Sequence, residues 1–302
     1  MPYKLTSNIE NNSSSIDVSL CIVNWNTKYL TSQLIESIRK TVKKLSIEVF
    51  VVDNASTDGS VEHILSNYPD VNIIKNSINI GYGSAHNQAL RMSRGRYKMI
   101  LNSDVILLEK SLENMVMFLD NNQDIGAVGP ICLDKDRNIG YSYGHFPKPW
   151  QMILERLLGS MTPKYIKPPP LQVKPHLYTD KQIDVEYISG ACILIRKELC
   201  DEIGLFDERF FAYFEETDWC FRLMKRGVKR CLIPNAEIIH INNASFSQIP
   251  EKGTNYFADS KIKYLKKHHG KTIAKVYICS NALANFRHKI KKTLLSLCNR
   301  TV

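Results

Sequence analysis

The sequence predicts an α/β fold in which a Rossmann-like, mostly parallel central sheet is flanked by helices. Short apolar runs alternate with segments of helical periodicity between residues 18 and 129, a pattern typical of a doubly wound parallel sheet. One run, residues 99–101, is continuously apolar and stops abruptly at Asn102, Ser103 and Asp104. A continuous apolar run predicts a strand that is buried on both faces, and we expect the rest of the chain to be organised around it.

The other elements follow from local patterns along the chain. Apolar runs predict strands at residues 18–23, 48–52 and 71–75 and around 127–129, and periodic segments predict helices at 29–44, 58–65, 79–94 and 109–121. In the first of these helices, apolar side chains recur on one face. Further along the chain, the sequence predicts an apolar segment at 185–195, a helix from Glu215 to near Gly227, and an extended segment at 233–240.

Polar residues follow three of the predicted strands at the point where each strand ends. They are Asn24 and Asn26, Asp53 and Asn54, and the run Asn102, Ser103 and Asp104. In open α/β sheets, ligands bind beyond the carboxyl ends of the strands, and a carboxylate there can hold a divalent cation that in turn holds phosphate oxygens. The alternative is that Asp104 belongs to a turn that caps the next helix.

Composition indicates a globular protein with one large or two modest domains. The chain has 302 residues, of which 44% are hydrophobic and 23% charged, and no apolar run approaches the roughly 18 residues of a membrane span. Residues 1–16 are polar, so we expect a disordered leader. The eight cysteines form no CxxC pair, which favours reduced thiols in a cytoplasmic setting.

The net charge of +10 is concentrated at the C-terminus. Residues 260–302 contain eleven Lys or Arg and no Asp or Glu, so the charge does not indicate that the body of the protein binds nucleic acid. Lysines alternate with apolar residues there, and we predict a basic helical extension, residues 246–302, that makes peripheral contact with an anionic membrane. The alternative is a solvated helix that packs on the body.

The segment from residue 133 to 186 breaks the strand–helix pattern. Seven of the twelve prolines fall between Pro147 and Pro175, and long irregular segments are usually functional loops or disordered. We interpret the segment as a lid or an acceptor-side insert; a solvated insertion without a function is the alternative.

A nucleoside-diphosphate ligand accounts for the polar strand ends. Asp53 can accept the N3–H of a uracil or thymine ring, Asn102 can bond a ribose, and Asp104 can bind Mn²⁺ or Mg²⁺ bridging the diphosphate. His240 is a candidate second ligand to the metal, or else a satisfied buried histidine. Of the cluster Glu215, Glu216 and Asp218, one residue can act as a general base whose pKa is raised by apolar neighbours such as Trp219, although acidic residues also simply favour a helix N-terminus.

Six motifs in order resemble the family-2 inverting glycosyltransferases, in particular the rhamnosyltransferase-like branch. The motifs are residues 22–26 (IVNWN), 51–60 (VVDNASTDGS), 79–83 (NIGYG) with Asn87, 101–104 (LNSD), 189–191 (SGA), and 206–211 (FDERFF) through Asp218. The resemblance covers about residues 18–243.

This resemblance implies an A-type glycosyltransferase fold in residues 17–245, with a nucleotide-binding half at 17–130 and an acceptor half at 131–245. It implies that Asp53 holds the base, that residues 102–104 stand at the Asp-X-Asp metal site, and that His240 lies near the metal. The family's base is the second acidic residue of a Glu-Asp pair, which falls on Glu216; this chain has Glu there, so Glu215 stays a candidate. We assign Asn24, Asn26, Gly81 and Asn87 to the donor side, and Ser189, Gly190 and Trp219 to the acceptor side.

The implied reaction is a direct displacement that inverts the anomeric carbon, with L-rhamnose from dTDP-rhamnose or a UDP-hexose as donor. The acceptor is a glycan or a lipid-linked sugar in surface polysaccharide synthesis, such as O-antigen or capsule, at the inner face of the cell membrane. A nucleotidyltransferase would need a Gly-rich loop after the first strand, which residues 24–27 lack, and a Rossmann dehydrogenase would need GxGxxG there. A non-catalytic sugar-binding protein on the same fold is a further alternative.

Overall fold

A computed structural model describes residues 16–175, 181–241 and 250–298 of the chain. The predicted leader therefore lies outside the described residues, apart from Ile16. Among the helices that are described, none is both long and apolar enough to cross a membrane.

Strands and helices alternate through the first half of the chain, as the sequence predicts. The strands are β1 (Val18–Asn24), β2 (Ile47–Asp53), β3 (Asn72–Lys75), β4 (Tyr97–Asn102), β5 (Val105–Leu107), β6 (Ile125–Leu133), β7 (Tyr143–Gly144), β8 (Ile183–Asp184), β9 (Tyr187–Ile188), β10 (Cys192–Arg196) and β11 (Lys229–His240). The α-helices are α1 (Lys28–Thr41), α2 (Ser60–Asn67), α3 (Tyr82–Met92), α4 (Ser111–Asn121), α5 (Pro149–Leu158), α6 (Lys197–Glu202), α7 (Glu215–Lys225), α8 (Pro250–His269) and α9 (Lys271–Cys298).

The central sheet has the strand order β3-β2-β1-β4-β10-β6-β11-β5, with β8 pairing beside β11. The four strands of the first half, β3, β2, β1 and β4, are all parallel. Strand β10 then runs antiparallel between β4 and β6, while β6 and β11 are parallel. The predicted central sheet with flanking helices is confirmed; the antiparallel insertion of β10 makes the sheet mixed.

The parallel register places the polar strand ends side by side. Asn24 lies opposite Asp53, and Val23 lies opposite Asn102. On the far side of β4, the N–H of Asn102 donates to the carbonyl oxygen of Ala191 at 3.0 Å. The turn that precedes β10 therefore reaches the same edge of the sheet as the ends of β1, β2 and β4.

The proline-rich segment is more ordered than its composition predicts. Within it, α5 begins at Pro149, where a proline fits the first helical turn because no hydrogen-bond donor is needed there. Met152 and Ile153 of α5 are buried against Ala274 and Tyr277 of α9 in one apolar cluster. The insert and the C-terminal extension therefore pack on each other. Residues 176–180 lie outside the described residues.

The C-terminal extension consists of two helices, and α8 packs into the body of the protein. Tyr264 and Leu265, two of the apolar residues that alternate with lysines in this segment, are completely buried, beside Phe210 and Phe214. The Ser260 hydroxyl donates to the carbonyl oxygen of Ala212 at 2.8 Å. These apolar positions of the extension are therefore part of the protein core.

A buried ionic cluster attaches α8 to α7. The carboxylate of Asp218, which is completely buried, accepts from Arg222 at 3.0 Å, and its other oxygen lies 2.5 Å from Lys267 Nζ and 2.6 Å from His268 Nε2. Burial alone would raise the pKa of Asp218, but the hydrogen bonds from His268 and Lys267 and the charge of Arg222 hold it below its ordinary value. Lys267 also contacts Asp207 at 2.7 Å.

We expect Lys267→Met to lower the free energy of unfolding by about 3 kcal/mol at pH 7, because it leaves a buried carboxylate short of a partner. Because the pKa of Asp218 is lowered in the folded protein, the deficit should shrink as the pH falls below the ordinary Asp value, where the carboxyl becomes protonated. Urea unfolding at pH 7 and pH 3 measures both effects. Lys266→Met, an exposed neighbour, is the matched control and should change stability by less than about 0.5 kcal/mol.

Candidate functional site

The end of β2 carries a carboxylate that is held by two neighbours. Asp53 is 1% exposed; its Oδ1 accepts from Asn24 Nδ2 at 2.7 Å, and its Oδ2 accepts from the backbone N–H of Ser56 at 3.0 Å. Asn24 Nδ2 also lies 2.9 Å from Ser56 Oγ. Since each carboxylate oxygen has two lone pairs, Asp53 keeps the capacity to accept a further N–H in the fixed orientation that these bonds impose.

Asn24 and Asn26 hold this edge of the sheet in place through hydrogen bonds. Asn24 is completely buried, and its Oδ1 accepts from the hydroxyls of Thr27 and Thr31, so it acts as a support for Asp53 rather than as a surface group. Asn26 has a positive φ of 52°, and its Oδ1 accepts the backbone N–H of Thr57 at 2.7 Å. The two asparagines thus hold the loops after β1 and β2 together.

The end of β4 brings the candidate metal ligands together. Asp104 Oδ1 lies 3.2 Å from His240 Nε2, because His240 is opposite Val105 in the antiparallel pairing of β11 with β5. Asn102 Nδ2 lies 3.2 Å from the same imidazole nitrogen. The hydroxyl oxygen of Ser103, next in the chain, lies 2.8 Å from that of Thr27, which ties this turn to the segment after β1.

The donor set fits a hard divalent cation that is shared with a substrate. Two ligands of one octahedral ion lie about 3 Å apart when they are adjacent, as Asp104 and His240 do. Within the described ranges, no group of three or more His, Cys, Asp or Glu side chains could form a protein-only cage. Mg²⁺ and Mn²⁺ are commonly bound by few protein ligands together with phosphate oxygens, so this site suits an ion that arrives with a diphosphate.

The acidic cluster begins α7 at a strained turn. Tyr213 and Phe214, two bulky residues, have positive φ angles of 66° and 73° immediately before Glu215. Such angles are true outliers for bulky side chains and cluster at functional sites. The turn starts the helix so that Glu215 and Glu216 lie beside two glycines: a Cβ on Gly83 would be 3.0 Å from Glu215 Cγ, and one on Gly190 would be 3.7 Å from Glu216 Cδ.

The two glutamates differ in their access to the cleft. Glu215 is 1% exposed and its Oε1 has no hydrogen-bond partner in the part of the chain that is described, whereas Glu216 is partly exposed. Burial, with the charge of Glu216 added, raises the pKa of Glu215 well above its ordinary value, and burial also raises the pKa of Glu216. Glu216 is the better placed of the two to exchange a proton with a bound molecule.

The turn at residues 189–191 leaves room beside Glu216. Ser189 donates its backbone N–H to the Ser142 carbonyl oxygen at 3.0 Å, which fixes the turn, and Gly190 has no side chain to fill the space next to the Glu216 carboxyl. These two predicted acceptor-side residues therefore lie next to the candidate base.

Three other predicted site residues have structural contacts. Gly81 has φ +90°, and a Cβ there would lie 2.5 Å from the Phe211 carbonyl oxygen. Asn87 is 1% exposed and bonds both the N–H and the carbonyl oxygen of Phe206. Trp219 is also 1% exposed, and its indole N–H donates to the carbonyl oxygen of Gly204 at 2.9 Å. The structure thus shows the side chains of Asn87 and Trp219 buried, with hydrogen bonds to backbone groups of residues 204 and 206.

Sequence reasoning missed two residues at the centre of the site. The Tyr82 hydroxyl lies 2.8 Å from Asn102 Oδ1 and 2.7 Å from the Gly190 carbonyl oxygen. The ring of Tyr82 packs edge-on against His86, which is completely buried. Burial lowers the pKa of His86 to about 3, so the imidazole is neutral. The flanking glycines of Tyr82 mark the turn, but no local signal shows that its hydroxyl spans the cleft.

Comparison with known proteins identifies a family over most of the chain. A family model described as glycosyl transferase family 2 matches residues 19–204. N-acetylglucosaminyl-diphospho-decaprenol L-rhamnosyltransferase of Mycobacterium tuberculosis is 27% identical over 205 residues, 64% of this chain and 66% of the relative. Rhamnosyltransferase WbbL of Escherichia coli is 23% identical over 217 residues, 68% of this chain and 78% of the relative. The matched part thus spans just under two thirds of the mycobacterial relative.

Solved structures show the same fold at low sequence identity. The crystal structure of GalNAc-T7 with UDP, GalNAc and Mn²⁺ superposes with a TM-score of 0.62 at 15% identity, covering 84% of this chain and 48% of that one. At this identity the likeness establishes the fold alone, and it confirms the predicted A-type architecture.

Because the pKa of Glu215 is raised in the folded protein, we expect the stability of the protein to depend on pH. Above the ordinary Glu value of 4.5, the unfolded chain releases the proton more readily than the folded protein, so wild-type stability should fall by up to about 1.4 kcal/mol per pH unit. Glu215→Gln removes this loss, so it should be more stable than wild type at pH 8, with the advantage shrinking towards pH 4.5.

Thermal unfolding of both proteins from pH 4.5 to pH 8 measures the difference. Glu202→Gln, in which an exposed carboxyl on α6 is changed, should follow the wild-type pH dependence. A Glu215→Gln protein whose melting temperature tracks the wild type across that range would contradict the interpretation.

Proposed function

Because the chain belongs to glycosyl transferase family 2, we propose that it transfers L-rhamnose from dTDP-rhamnose to a glycan or lipid-linked acceptor in surface polysaccharide synthesis. One observation carries the proposal: the Tyr82 hydroxyl lies between Asn102, which contacts His240 of the Asp104–His240 pair, and the Gly190 turn beside Glu216. The names of the mycobacterial and E. coli relatives support the sugar and the kind of acceptor.

On the donor side, each residue has a role that its contacts allow. Asp53 accepts the N3–H of the base while Asn24 and the Ser56 N–H hold the carboxylate in place. Asn102, at the end of β4, contacts the ribose. Asp104 and His240 hold Mn²⁺ or Mg²⁺, which, when bound, neutralises charge on the departing diphosphate.

On the acceptor side, Glu216 acts as the general base. Its carboxylate takes the proton from an acceptor hydroxyl placed in the space beside Gly190, and the oxygen attacks the anomeric carbon from the face opposite the nucleotide. The C–O bond to the acceptor forms as the C–O bond to the diphosphate breaks, so the configuration inverts and no covalent enzyme intermediate is needed. Glu215, buried behind Glu216, is the alternative base.

A UDP-hexose is the second candidate donor. Thymine and uracil present the same hydrogen-bonding edge to Asp53, so the base-binding contacts do not separate the two nucleotides. A sugar-binding protein without catalysis is the remaining alternative, and the intact pair of Glu216 and Asp104 argues against it.

We also propose that the protein works at the inner face of the cell membrane, held there by its C-terminal region. Helices α5 and α9 carry an outer face of exposed apolar side chains, which consists of Trp150, Leu154, Leu157, Leu283, Phe286 and Ile290. Arg287 donates to the Leu157 carbonyl oxygen at 2.5 Å, so the two helices adjoin at this face. The excess of Lys and Arg in residues 260–302 complements an anionic lipid surface.

Calorimetric titration with UDP and dTDP, each with and without Mn²⁺, tests the proposed donor site. We expect metal-dependent binding of at least one nucleotide, and Asp104→Ala should weaken it by more than about 100-fold because half of the protein's metal ligands are lost. Asp70→Ala, an exposed carboxylate at the opposite end of β3, is the control. If folded wild-type protein binds neither nucleotide, the transferase assignment is wrong.

Glu216→Gln tests the base. The amide keeps the shape of the side chain but cannot take up a proton, so nucleotide affinity should stay within about threefold of wild type while transfer falls by at least about 100-fold. Assays with dTDP-rhamnose and an N-acetylglucosaminyl-diphospho-lipid acceptor measure the loss. Near-normal turnover by Glu216→Gln would move the role of the base to Glu215.

Vesicle co-sedimentation tests the membrane contact. The double variant Trp150→Ser, Phe286→Ser removes the two most exposed rings of the outer face, so it should bind vesicles of anionic phospholipid several-fold more weakly than wild type. Leu65→Ser, an equally exposed apolar residue on α2, should bind like wild type. Equal partitioning of all three proteins would exclude this face as the contact.

A further inference from the structure

The side chain that joins the two halves of the cleft is Tyr82. Its hydroxyl is within hydrogen-bond distance of Asn102, beside the candidate metal ligands, and of the Gly190 carbonyl oxygen, beside Glu216. We propose that Tyr82 is a positioning residue that sets the separation between the donor edge and the turn that receives the acceptor. This inference rests on the proposed transferase function and adds a specific residue to it.

The hydrogen bonds form a continuous chain from His240 to the acceptor turn. His240 Nε2 is 3.2 Å from the Asn102 amide nitrogen, the Asn102 oxygen is 2.8 Å from the Tyr82 hydroxyl, and that hydroxyl is 2.7 Å from the Gly190 carbonyl oxygen. A phenol has one proton, so it donates to one of the two oxygens. If it donates to Gly190, rotating the Asn102 amide by 180° lets that amide donate to Tyr82, and both contacts are satisfied.

The backbone at Tyr82 is anchored to the segment that carries the glutamates. Its N–H donates to the Phe211 carbonyl oxygen at 2.8 Å, and no residue with a Cβ fits at the preceding position because Phe211 is too close. From Phe211 the chain runs directly into the strained turn before α7. The phenol ring is therefore held relative to Glu216 by the main chain, and the hydroxyl transmits that position to Asn102.

Three carboxylates surround this phenol. Burial and the charges of Glu215, Glu216 and Asp104 raise the pKa of Tyr82 well above its ordinary value. The phenol therefore keeps its proton over the working pH range, and the hydroxyl is always available as a donor. A phenylalanine would preserve the ring contact with His86 and lose only the link between the two halves.

Tyr82→Phe is accordingly the variant that tests the proposal. Its donor nucleotide should bind within about threefold of wild type, because Asp53, Asp104 and His240 are unchanged. The ratio of transfer to donor hydrolysis should fall about tenfold or more, since an acceptor must be positioned by the Gly190 turn whereas water need not be. Amide hydrogen exchange in residues 187–192 should accelerate by about tenfold.

Tyr97→Phe is the matched control. The Tyr97 hydroxyl, at the opposite end of β4, donates to Asp120 at 2.7 Å and lies 3.4 Å from an Arg196 guanidinium nitrogen, so this variant also loses the contacts of one tyrosine hydroxyl. It should leave the product ratio and the exchange of residues 187–192 at wild-type values, whatever its effect on the melting temperature. Rates are measured with dTDP-rhamnose, UDP-glucose and an N-acetylglucosaminyl-diphospho-lipid acceptor, and exchange is measured with and without Mn²⁺ and nucleotide.

The outcomes separate this proposal from the function it rests on. If Tyr82→Phe leaves hydrogen exchange in residues 187–192 within about twofold of wild type, the positioning role is wrong even if the protein is a transferase. If exchange accelerates but wild type binds neither UDP nor dTDP, the structural link exists and the transferase function fails. Faster exchange together with the lower product ratio supports both.

Discussion

The edge of the sheet that carries Asp53 depends on the buried amide of Asn24. Its Nδ2 donates to Asp53 and Ser56, while its Oδ1 accepts from Thr27 and Thr31. A fully satisfied polar network in the core imposes one arrangement, because any other leaves buried groups unpaired. The loops after β1 and β2 and the start of α1 are thereby held together, and the Asp53 carboxylate is fixed in one orientation.

The turn that carries Glu215 and Glu216 depends instead on a strained backbone that neighbouring contacts hold in place. Two aromatic residues in the left-handed region cost of order 1–3 kcal/mol each, so the turn before α7 needs support from outside. Helix α8 supplies it: Phe214 packs on Tyr264, and Asp218, one turn into α7, is clamped by Lys267 and His268. Within the C-terminal region, α8 thus supports the turn before α7, whereas α9 carries the exposed apolar face together with α5.

The antiparallel strand β10 is what makes one site out of these two edges. Because Cys192 lies opposite Leu101, the turn before β10 meets the end of β4 at the level of Asn102. Tyr82 fills the remaining gap, with its backbone bonded to Phe211 and its hydroxyl placed between Asn102 and Gly190. The separation between the end of β4 and the Gly190 turn is therefore set by a strand register and one phenol.

The sequence by itself determined the alternation of strands and helices, the polar ends of β1, β2 and β4, and the acidic start of α7. Each of these is a local pattern, because side-chain period and polarity decide whether a segment is buried. Its motifs also predicted the family that the comparison identifies. The pairing of Asp104 with His240 was expected from the resemblance, and the pairing of β11 with β5 supplies its physical cause.

Only the tertiary structure decided how distant segments meet. Four features depend on contacts between residues that are far apart in the chain. They are the antiparallel direction of β10, the burial of Tyr264 and Leu265, the buried contacts of Asn87 and Trp219, and the position of Tyr82 between the two halves. The proline-rich composition of the insert did not predict a helix there. Helix α5 nevertheless forms, because Met152 and Ile153 are buried against α9. Burial against a segment that is distant in the chain outweighs the local secondary-structure preference. The local sequence pattern does not show which segment that is.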